Sequence, residues 1–472
     1  MKRRGTKIVC TLGPATESSD AIAELIEAGM DIVRLNFSHG ERERHRATIR
    51  RIRSVAERSE RPIGILQDLG GPKIRLGELP DDGITIETGS RIALAPDTDT
   101  PSDAIPVSYP YLLEDVAAGE TILLADGAAE LEVAEVSRDR LVCRVVNGGL
   151  LTSRKGVNLP QADLRVPAVT DKDLADLEVG LDEGVDFVAL SFVRHEDDLR
   201  PVFDRIADLD HPPLVTAKIE KPQAVDRIEP IIAAVDAVMV ARGDLGVEMP
   251  PEKVPVIQKR IIRAARSAGR PVITATQMLR SMVDSPRPLR AEASDVANAV
   301  LDGTDALMLS EETAIGNFPD DAVRMLDRIA RETEPELDHD RLTATSTADG
   351  QSDVTDSVSL AACELAGAVG ATAIVTTTSS GGTARLIARH RPSMPVLGVT
   401  TSDRVARQLA LSWGVIPTVV ESTADQAGLR AALLRALTAH GLAEPGDLVV
   451  VVAGLPLGFS DAANVIQVHR LE

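Results

Sequence analysis

Met239-Val240-Ala241-Arg242-Gly243-Asp244-Leu245-Gly246 is the stretch on which the fold class turns. The apolar run from Ala237 to Val240 has the length and composition of a strand buried on both faces. It stops abruptly in Arg, Gly and Asp. An earlier run, Leu214-Val215-Thr216-Ala217, stops the same way, in Lys218-Ile219-Glu220-Lys221. Two neighbouring strand ends would thus deliver the carboxylates of Glu220 and Asp244 and the ammonium of Lys218 to one place. Hard divalent cations such as Mg²⁺ bind through one or two carboxylates together with substrate phosphate.

The same pattern extends outward along the chain. Lys7 to Thr11, Asp31 to Leu35 and Ile63 to Leu66 read as strands, separated by helices from Ser18 to Ala28 and from Glu41 to Ser59. The alternation breaks at Gly70-Gly71-Pro72. A turn-rich, short-period stretch follows, with ITIETG, RIALAP, TILLADG, AELEVAEV and DRLVCRVV, and reads as a small all-β module. Strands then resume at Asp186 to Ser191, Leu214 to Ile219, Ala237 to Val240, Pro271 to Thr276 and Ala306 to Leu309. Helices from Pro251 to Ala268 and from Pro319 to Thr333 lie among them.

Eight strand–helix units that close on themselves make a (β/α)8 TIM barrel, whose chemistry sits at the C-terminal ends of the strands. A doubly wound open sheet is the alternative, and it concentrates polar groups at one switch point. Here the strand ends read TLGP, RLNFSHG, QDLGG, SFV, KIEK, ARGD, ATQM and LSEET. Polar chemistry at so many ends favours the barrel. The expected organisation is a barrel from 1–70 and 160–340, a β-rich lid from 71–159, and a C-terminal α/β domain from 341–472. Within the last, Thr343 to Asp353 reads as a linker. The helices expected beyond it run from Val354 to Val369, Thr383 to His390 and Arg404 to Ser412. The strands run from Thr372 to Thr376, Val396 to Val399 and Leu448 to Val452.

Composition narrows the function classes. A net charge of −21 argues against a nucleic-acid or anionic-membrane partner. Aromatic residues are 2%, so burial rests on Ala, Val, Leu and Ile. Lysines number nine against forty-two arginines, which makes a lysine at a strand end less incidental. Cys10, Cys143 and Cys363 are widely spaced and suggest neither a disulfide framework nor a zinc site, as in a reducing cytoplasm. The basic N-terminus lacks the apolar region of a signal peptide. Val449 to Ala453 is too short to span a bilayer.

TKIVCTLGPAT, RLNFSHG, QDLGGPKIR, KGVNLP, KIEK, VARGDLGVE, ATQML and SPRPLRAEASDVANAVLDGTDALMLSEETA together resemble pyruvate kinases, over essentially the whole chain and in one order. The resemblance implies phosphoryl transfer from phosphoenolpyruvate to ADP, with Mg²⁺ or alternatively Mn²⁺, in a cytoplasmic homotetramer open to a phosphorylated allosteric effector. Residue by residue it implies Glu220 and Asp244 as metal ligands and Lys218 as the cation over the transferring phosphoryl group. Ala241, Arg242, Gly243 and Asp244 match the segment that receives the substrate carboxylate, with Thr276 beside it. Arg34 and Arg75 match phosphate-binding arginines. Thr276 matches the threonine that orients a water for enolate protonation, with Ser310 and Glu312 extending that network. Asn36, His39, Asp126 and Lys155 match nucleotide-facing positions.

Asn36, Ser38, Asp68 and Leu69 match the monovalent-cation site of the family. The potassium-dependent pattern is D-T-K-G-P-E-I-R-T, whereas this chain reads Asp68-Leu69-Gly70-Gly71-Pro72-Lys73-Ile74-Arg75-Leu76. Lys73 stands where an acidic residue is expected, and its ammonium can supply the charge K⁺ would bring. Catalysis without K⁺ is therefore expected. Thr378, Ser380, Gly381 and Thr383 match the family's effector phosphate loop, a Ser/Gly-rich turn at a helix start. Ser379 replaces its basic residue, which puts fructose 1,6-bisphosphate in doubt as effector. Glu311 replaces a common glycine.

Two other readings of the residues stay open. A Mg²⁺-dependent barrel lyase or aldolase could use Glu220, Asp244 and an arginine, but needs no nucleotide lid. A phosphometabolite-binding regulator would not need Lys218, Glu220, Asp244 and Thr276 intact.

Overall fold

Eight parallel strands close into a barrel: β1 (Lys7–Thr11), β2 (Ile32–Asn36), β3 (Gly64–Asp68), β4 (Phe187–Leu190), β5 (Leu214–Ile219), β6 (Ala237–Ala241), β7 (Val272–Ala275) and β8 (Ala306–Leu309). The order around the barrel is sequential, with β8 paired to β1 in parallel register. The structure is a computed structural model and describes residues 3–339, 342, 354–421, 426–454 and 463–471. The expected linker from Thr343 to Asp353 lies outside those residues.

Strand alternation builds two apolar layers. Val9, Ile32, Leu66, Phe187, Met239, Ile273 and Met308 point inward and fill the barrel. Ile8, Val33, Ile65, Val188, Val238 and Leu307 point outward against the helices. Ala410 and Leu411 of the C-terminal region join the inner cluster, so the barrel floor is closed by another part of the chain. Cys10 and Cys143 are buried, Cys363 is half-buried, and all three thiols are free.

Between β3 and β4 the chain forms the expected β-rich module. Its main sheet has six strands, including Thr121–Leu124, Ala129–Val136, Leu141–Asn147 and Arg91–Pro96. It carries its own apolar core around Leu94, Tyr109, Leu131 and Val145.

The C-terminal region is a five-stranded sheet flanked by helices. β9 (Ala373–Thr377), β10 (Val396–Thr400) and β12 (Leu448–Ala453) were expected, as was the helix Val354–Val369. The structure adds β11 (Val415–Val419), β13 (Val465–Arg470) and the helix Gln426–Ala439, none of which the sequence reading found. β11 contains Pro417, which has no N–H for a ladder. It is tolerated because β11 is an edge strand paired only to β10. The expected helix from Arg404 to Ser412 is observed as Asp403–Leu409. Among the described residues no helix is long and apolar enough to cross a membrane.

Candidate active site

The C-terminal ends of β2, β3 and β5 converge on Lys218. Its Nζ lies 3.2 Å from Asp68 Oδ1 and 2.9 Å from Glu220 Oε1, and donates to Ser191 Oγ at 2.7 Å. Arg34 Nε donates to the other Asp68 oxygen at 2.6 Å, and its Nη1 to Thr11 Oγ1 at 3.0 Å. Strand register makes this unavoidable. Asn36 pairs with Asp68 across β2 and β3, and Lys218 pairs with Met239 across β5 and β6. Odd and even positions alternate faces, so Lys218 and Glu220, two apart, share one.

Burial sets the electrostatics. Lys218 is 8% exposed, which alone would favour the neutral amine, but Asp68 and Glu220 outweigh it and hold the amine well above the usual lysine range. Burial likewise pushes Asp68 up, and Lys218 and Arg34 overcome that to leave it below the ordinary carboxylate range. Glu220 goes the other way: burial raises it, Lys218 pulls it down, and the neighbouring Asp244 adds to the rise. Its second oxygen accepts from Phe192 N at 2.8 Å. Two carboxylates, one buried and one half-buried at the cleft, share this end of the barrel. Among the described residues no group of three or more His, Cys, Asp or Glu could hold a metal by itself. That donor set fits an ion such as Mg²⁺, which takes one or two carboxylates and completes its shell with water and substrate oxygen.

The next two strand ends are in van der Waals contact. A Cβ at Gly243 would lie 2.7 Å from Thr276 Cγ2, so only glycine lets the helix Arg242–Glu248 come this close. Thr276 and Gln277 have φ of 75° and 55°. Arg242 holds that segment: Nε donates to Ala275 O at 3.1 Å, Nη2 to Thr276 O at 2.7 Å, and Nη1 pairs with Asp295 at 2.7 Å. The Arg242 guanidinium is therefore committed to protein partners, and Asp244, two residues on, lines the cleft. Phe192, Ala125 and Asp126 also adopt left-handed backbone, on the barrel rim and the lid tip. Strain of this kind persists only where surroundings over-determine it, and it gathers at functional sites.

Ser310 immediately precedes the short helix Glu311–Ala314, and its side chain makes no capping hydrogen bond there. Glu312, nearly fully buried, accepts from Leu279 N at 3.0 Å and Ser310 N at 2.7 Å. Both of its oxygens brace the β7 and β8 loops through main-chain N–H groups. Glu311 forms a half-exposed pair with Arg280 at 2.5 Å.

Across the cleft, Lys73, Asp126 and Lys155 are exposed on the lid side. Arg75 Nη1 donates to Arg154 O at 3.0 Å. His39 is shifted down by partial burial and by Arg75, Lys73 and Arg34, which places it near that cationic group. Lys73 and Asp244 line one cleft together with Gly156 and Asn158. At the expected monovalent site, Asp68 is paired twice. The Leu69 carbonyl accepts from Ser191 Oγ at 2.7 Å, and Asn36 Oδ1 accepts from Ser38 N at 3.1 Å. In the far domain, Thr378 Oγ1 accepts from Gly381 N at 2.8 Å at the start of the helix Gly382–Arg389, with Gly381 at φ 85°. Thr378 and Thr383 are buried there.

Sequence reasoning missed the lid's anchor. Asn158 Nδ2 donates to Glu248 Oε1 at 2.7 Å, and Lys221 Nζ pairs with the same oxygen at 2.5 Å. It also missed Ser191 and Thr11 as partners of Lys218 and Arg34. The only signal was position: each stands at the end of a strand whose neighbours carry charge.

Comparison with known proteins agrees throughout the chain. Residues 3–323 match the family model "Pyruvate kinase, barrel domain", and 356–469 match "Pyruvate kinase, alpha/beta domain". The pyruvate kinase of Geobacillus stearothermophilus is 44% identical over 99% of this chain and 80% of its own length. That of Corynebacterium glutamicum is 44% identical over 99% of this chain and 98% of its own. A crystal structure of a pyruvate kinase from Cryptosporidium parvum superposes with a TM-score of 0.94 at 37% identity, covering 99% of this chain and 96% of that one.

Proposed function

The chain belongs to the pyruvate kinase family, a family of phosphotransferases, and from that premise we propose that it transfers the phosphoryl group of phosphoenolpyruvate to ADP without needing K⁺. The products are pyruvate and ATP, the last step of glycolysis. The family assignment removes the lyase and regulator readings. The observation that carries the proposal is the Lys218 ammonium held between Asp68 and Glu220 beside Arg34.

Phosphoryl transfer is mainly positioning and charge neutralisation. Arg34 and, across the cleft, Arg75 receive the phosphoryl oxygens, where a guanidinium can donate twice. Lys218 provides a fixed cation where charge develops on the phosphoryl group and the enolate oxygen. Its two carboxylate neighbours keep it protonated and pointed. The main chain of Ala241–Asp244 accepts the substrate carboxylate, approached closely because residue 243 has no Cβ. Glu220 and Asp244 would hold Mg²⁺, or Mn²⁺ in its place, which when bound would supply further positive charge to substrate oxygens. Asp126, Lys155, His39 and Asn36 face the nucleotide, and lid closure excludes water. Thr276 orients the water that protonates the enolate, and Arg242 and Glu312 hold its loop in place.

Independence from K⁺ is supported by Lys73 and by the donors of the monovalent site being engaged already: Asp68 with two cations, Leu69 O with Ser191, Asn36 Oδ1 with Ser38 N. We further propose the domain limits 1–70 with 160–340, 71–159 and 341–472, a cytoplasmic homotetramer, and an effector phosphate on Thr378, Ser380, Gly381 and Thr383.

Pyruvate formation from phosphoenolpyruvate with ADP and Mg²⁺, coupled to lactate dehydrogenase, tests the reading. Equal rates in K⁺ and in tetramethylammonium are expected. ADP-dependent turnover that rises strongly with K⁺ would reject the Lys73 argument alone, and no turnover with any divalent ion would reject the whole.

A further inference from the structure

The lid is joined to the barrel at two kinds of place. Its chain enters at Gly71, whose N–H donates to Asp173 Oδ1 at 3.1 Å. It leaves at Leu164–Val166, where Arg194 Nη2 donates to the Val166 carbonyl at 3.0 Å. Leu164 and Val166 still pack on the lid's apolar core. Away from those crossings, among the described residues, one side-chain hydrogen bond joins the lid body to the barrel: Asn158 Nδ2 donates to Glu248 Oε1 at 2.7 Å. The contacts at the crossings are kept by chain connectivity in any pose of the lid. The Asn158 bond holds only while the lid stands where it is.

Sequence and register put Asn158 beside the nucleotide-facing residues. It follows Lys155 by three residues, and the strand Val157–Asn158 pairs antiparallel with Leu123 and Leu124. Just beyond, Ala125 N donates to Gly156 O at 2.9 Å, which ties the Ala125–Asp126 turn to the same edge. Side chains alternate across a strand, so Val157 enters the lid core and Asn158 points the other way, to the barrel. The turn approaches the same barrel helix: a Cβ on Gly127 would lie 3.8 Å from Val247 Cγ1.

Glu248 is prepared on the barrel side. It is 4% exposed, and the buried Lys221 pairs with the same oxygen that Asn158 uses. Lys221 follows Glu220 in sequence and lies 5.8 Å from the Phe192 ring centroid, and Phe192 N–H donates to Glu220. The carboxylate is therefore fixed by barrel groups, and its charge makes the Asn158 bond stronger than a neutral one. Its other oxygen, Oε2, is buried with no hydrogen-bond partner. Asp244 and Glu248 stand four apart on the helix Arg242–Glu248 and share a face. One end of that face lines the cleft at Asp244, and the other meets the lid.

We propose that Glu248 is a positioning residue for the nucleotide: through Asn158 it holds the lid edge that carries Asp126 and Lys155 against the helix whose first residues receive the substrate carboxylate. The inference rests on the proposed reaction and adds to it a residue that touches neither substrate. Breaking the latch lowers the fraction of molecules whose lid stands in the binding pose, and apparent nucleotide affinity falls with that fraction. A ligand held by the barrel alone keeps its affinity. Oxalate is such a ligand, a planar dianion of the size of the enolate, with no phosphoryl group to reach Arg75 across the cleft.

The full chain is compared with Asn158→Ala, Asn158→Gln, Glu248→Gln and the double variant Asn158→Ala/Glu248→Gln. Binding of ADP with Mg²⁺, and separately of oxalate with Mg²⁺, is measured by calorimetric titration. KM and kcat are measured alongside, with the thermal midpoint as a check on the fold. Asn158→Ala should weaken ADP about tenfold in Kd and KM, the usual loss of one hydrogen bond to a charged group. Its kcat at saturating ADP should change less than about threefold and its oxalate affinity less than about twofold, since neither depends on uniform binding of the nucleotide. Asn158→Gln keeps the amide and should lie between. In the Glu248→Gln background, Asn158→Ala should add less than about twofold, because the two residues act through one bond. Glu248→Gln also leaves Lys221 unpaired, and the thermal midpoint reports that loss separately. Equal ADP affinity in the parent and Asn158→Ala, a parallel weakening of oxalate, or independent effects of the two substitutions would overturn the latch while leaving the reaction intact. A parent without ADP-dependent turnover of phosphoenolpyruvate would overturn the proposed reaction, and the latch with it.

Discussion

Two lysines at opposite ends of the barrel are buried almost equally and behave in opposite ways. Lys218, at the top, is 8% exposed and Lys7, at the bottom, 7%. Lys218 faces two carboxylates within ion-pair distance and is raised above the usual lysine range. Lys7 donates to the Val415 carbonyl at 2.7 Å, and burial lowers it to about 8, with Asp31 resisting and Arg4 and Arg61 assisting. Burial therefore does not decide the role of a charge; its partners do. At the top, charges are paired yet open to a cleft. At the bottom they are spent on closing the barrel against another domain.

The bottom can be broken without touching the top. Asp186 is fully buried beneath β4, where it pairs with Arg53 at 2.7 Å and Arg407 at 2.8 Å and accepts from Ile65 N at 2.8 Å. Asp186→Ala strands two guanidinium groups and should cost about 3–5 kcal/mol of stability, read by denaturant titration. Turnover of the folded fraction at low temperature should change little.

The top can be broken without touching the bottom. Lys218→Ala should lower kcat about 10²- to 10³-fold, the usual effect of losing one preorganised charge. Gly243→Ala comes next. Its Cβ would sit 2.7 Å from Thr276 Cγ2 and push the threonine aside, for a loss of about 10²-fold. Thr276→Ser removes that methyl. The double variant Gly243→Ala/Thr276→Ser should therefore be faster than Gly243→Ala alone, and steady-state kinetics on the three variants would show it.

The smallest effect concerns Lys7. Its folded value of about 8 lies below the ordinary 10.5. Between those values the unfolded chain holds the proton and the folded one releases it. This group therefore makes stability rise with pH across that window, and its penalty is present in full below it. Thermal midpoints at pH 7.5 and 9.5 should show a more positive pH dependence in the parent than in Lys7→Met.

The contrast between the two ends also marks what the sequence made legible. The top was readable because each strand carries its chemistry in the few residues after its apolar run: KIEK, ARGD, ATQM. Register then brings those tails together in any closed barrel. Lys218, Glu220, Arg34 and Asp68 are close for that reason. The bottom was not readable. Asp186 and Arg407, or Asp305 and Arg391, lie in different domains, and nothing local marks them as partners. β11 was hidden by Pro417, which argues against a strand until its edge position is known. Ser191 and Glu312 were legible as positions but not as roles. Ser191 serves both Lys218 and the Leu69 carbonyl, and Glu312 spends both oxygens on main-chain N–H groups.

Unfolding free energy and kcat measured side by side for Lys218→Ala and Asp186→Ala test the division most directly. The account predicts a difference in turnover: both variants lose stability, because each leaves buried charges unpaired, but Lys218→Ala loses the turnover of its folded fraction and Asp186→Ala keeps it. A loss of folded-fraction turnover in Asp186→Ala as large as that in Lys218→Ala would contradict it.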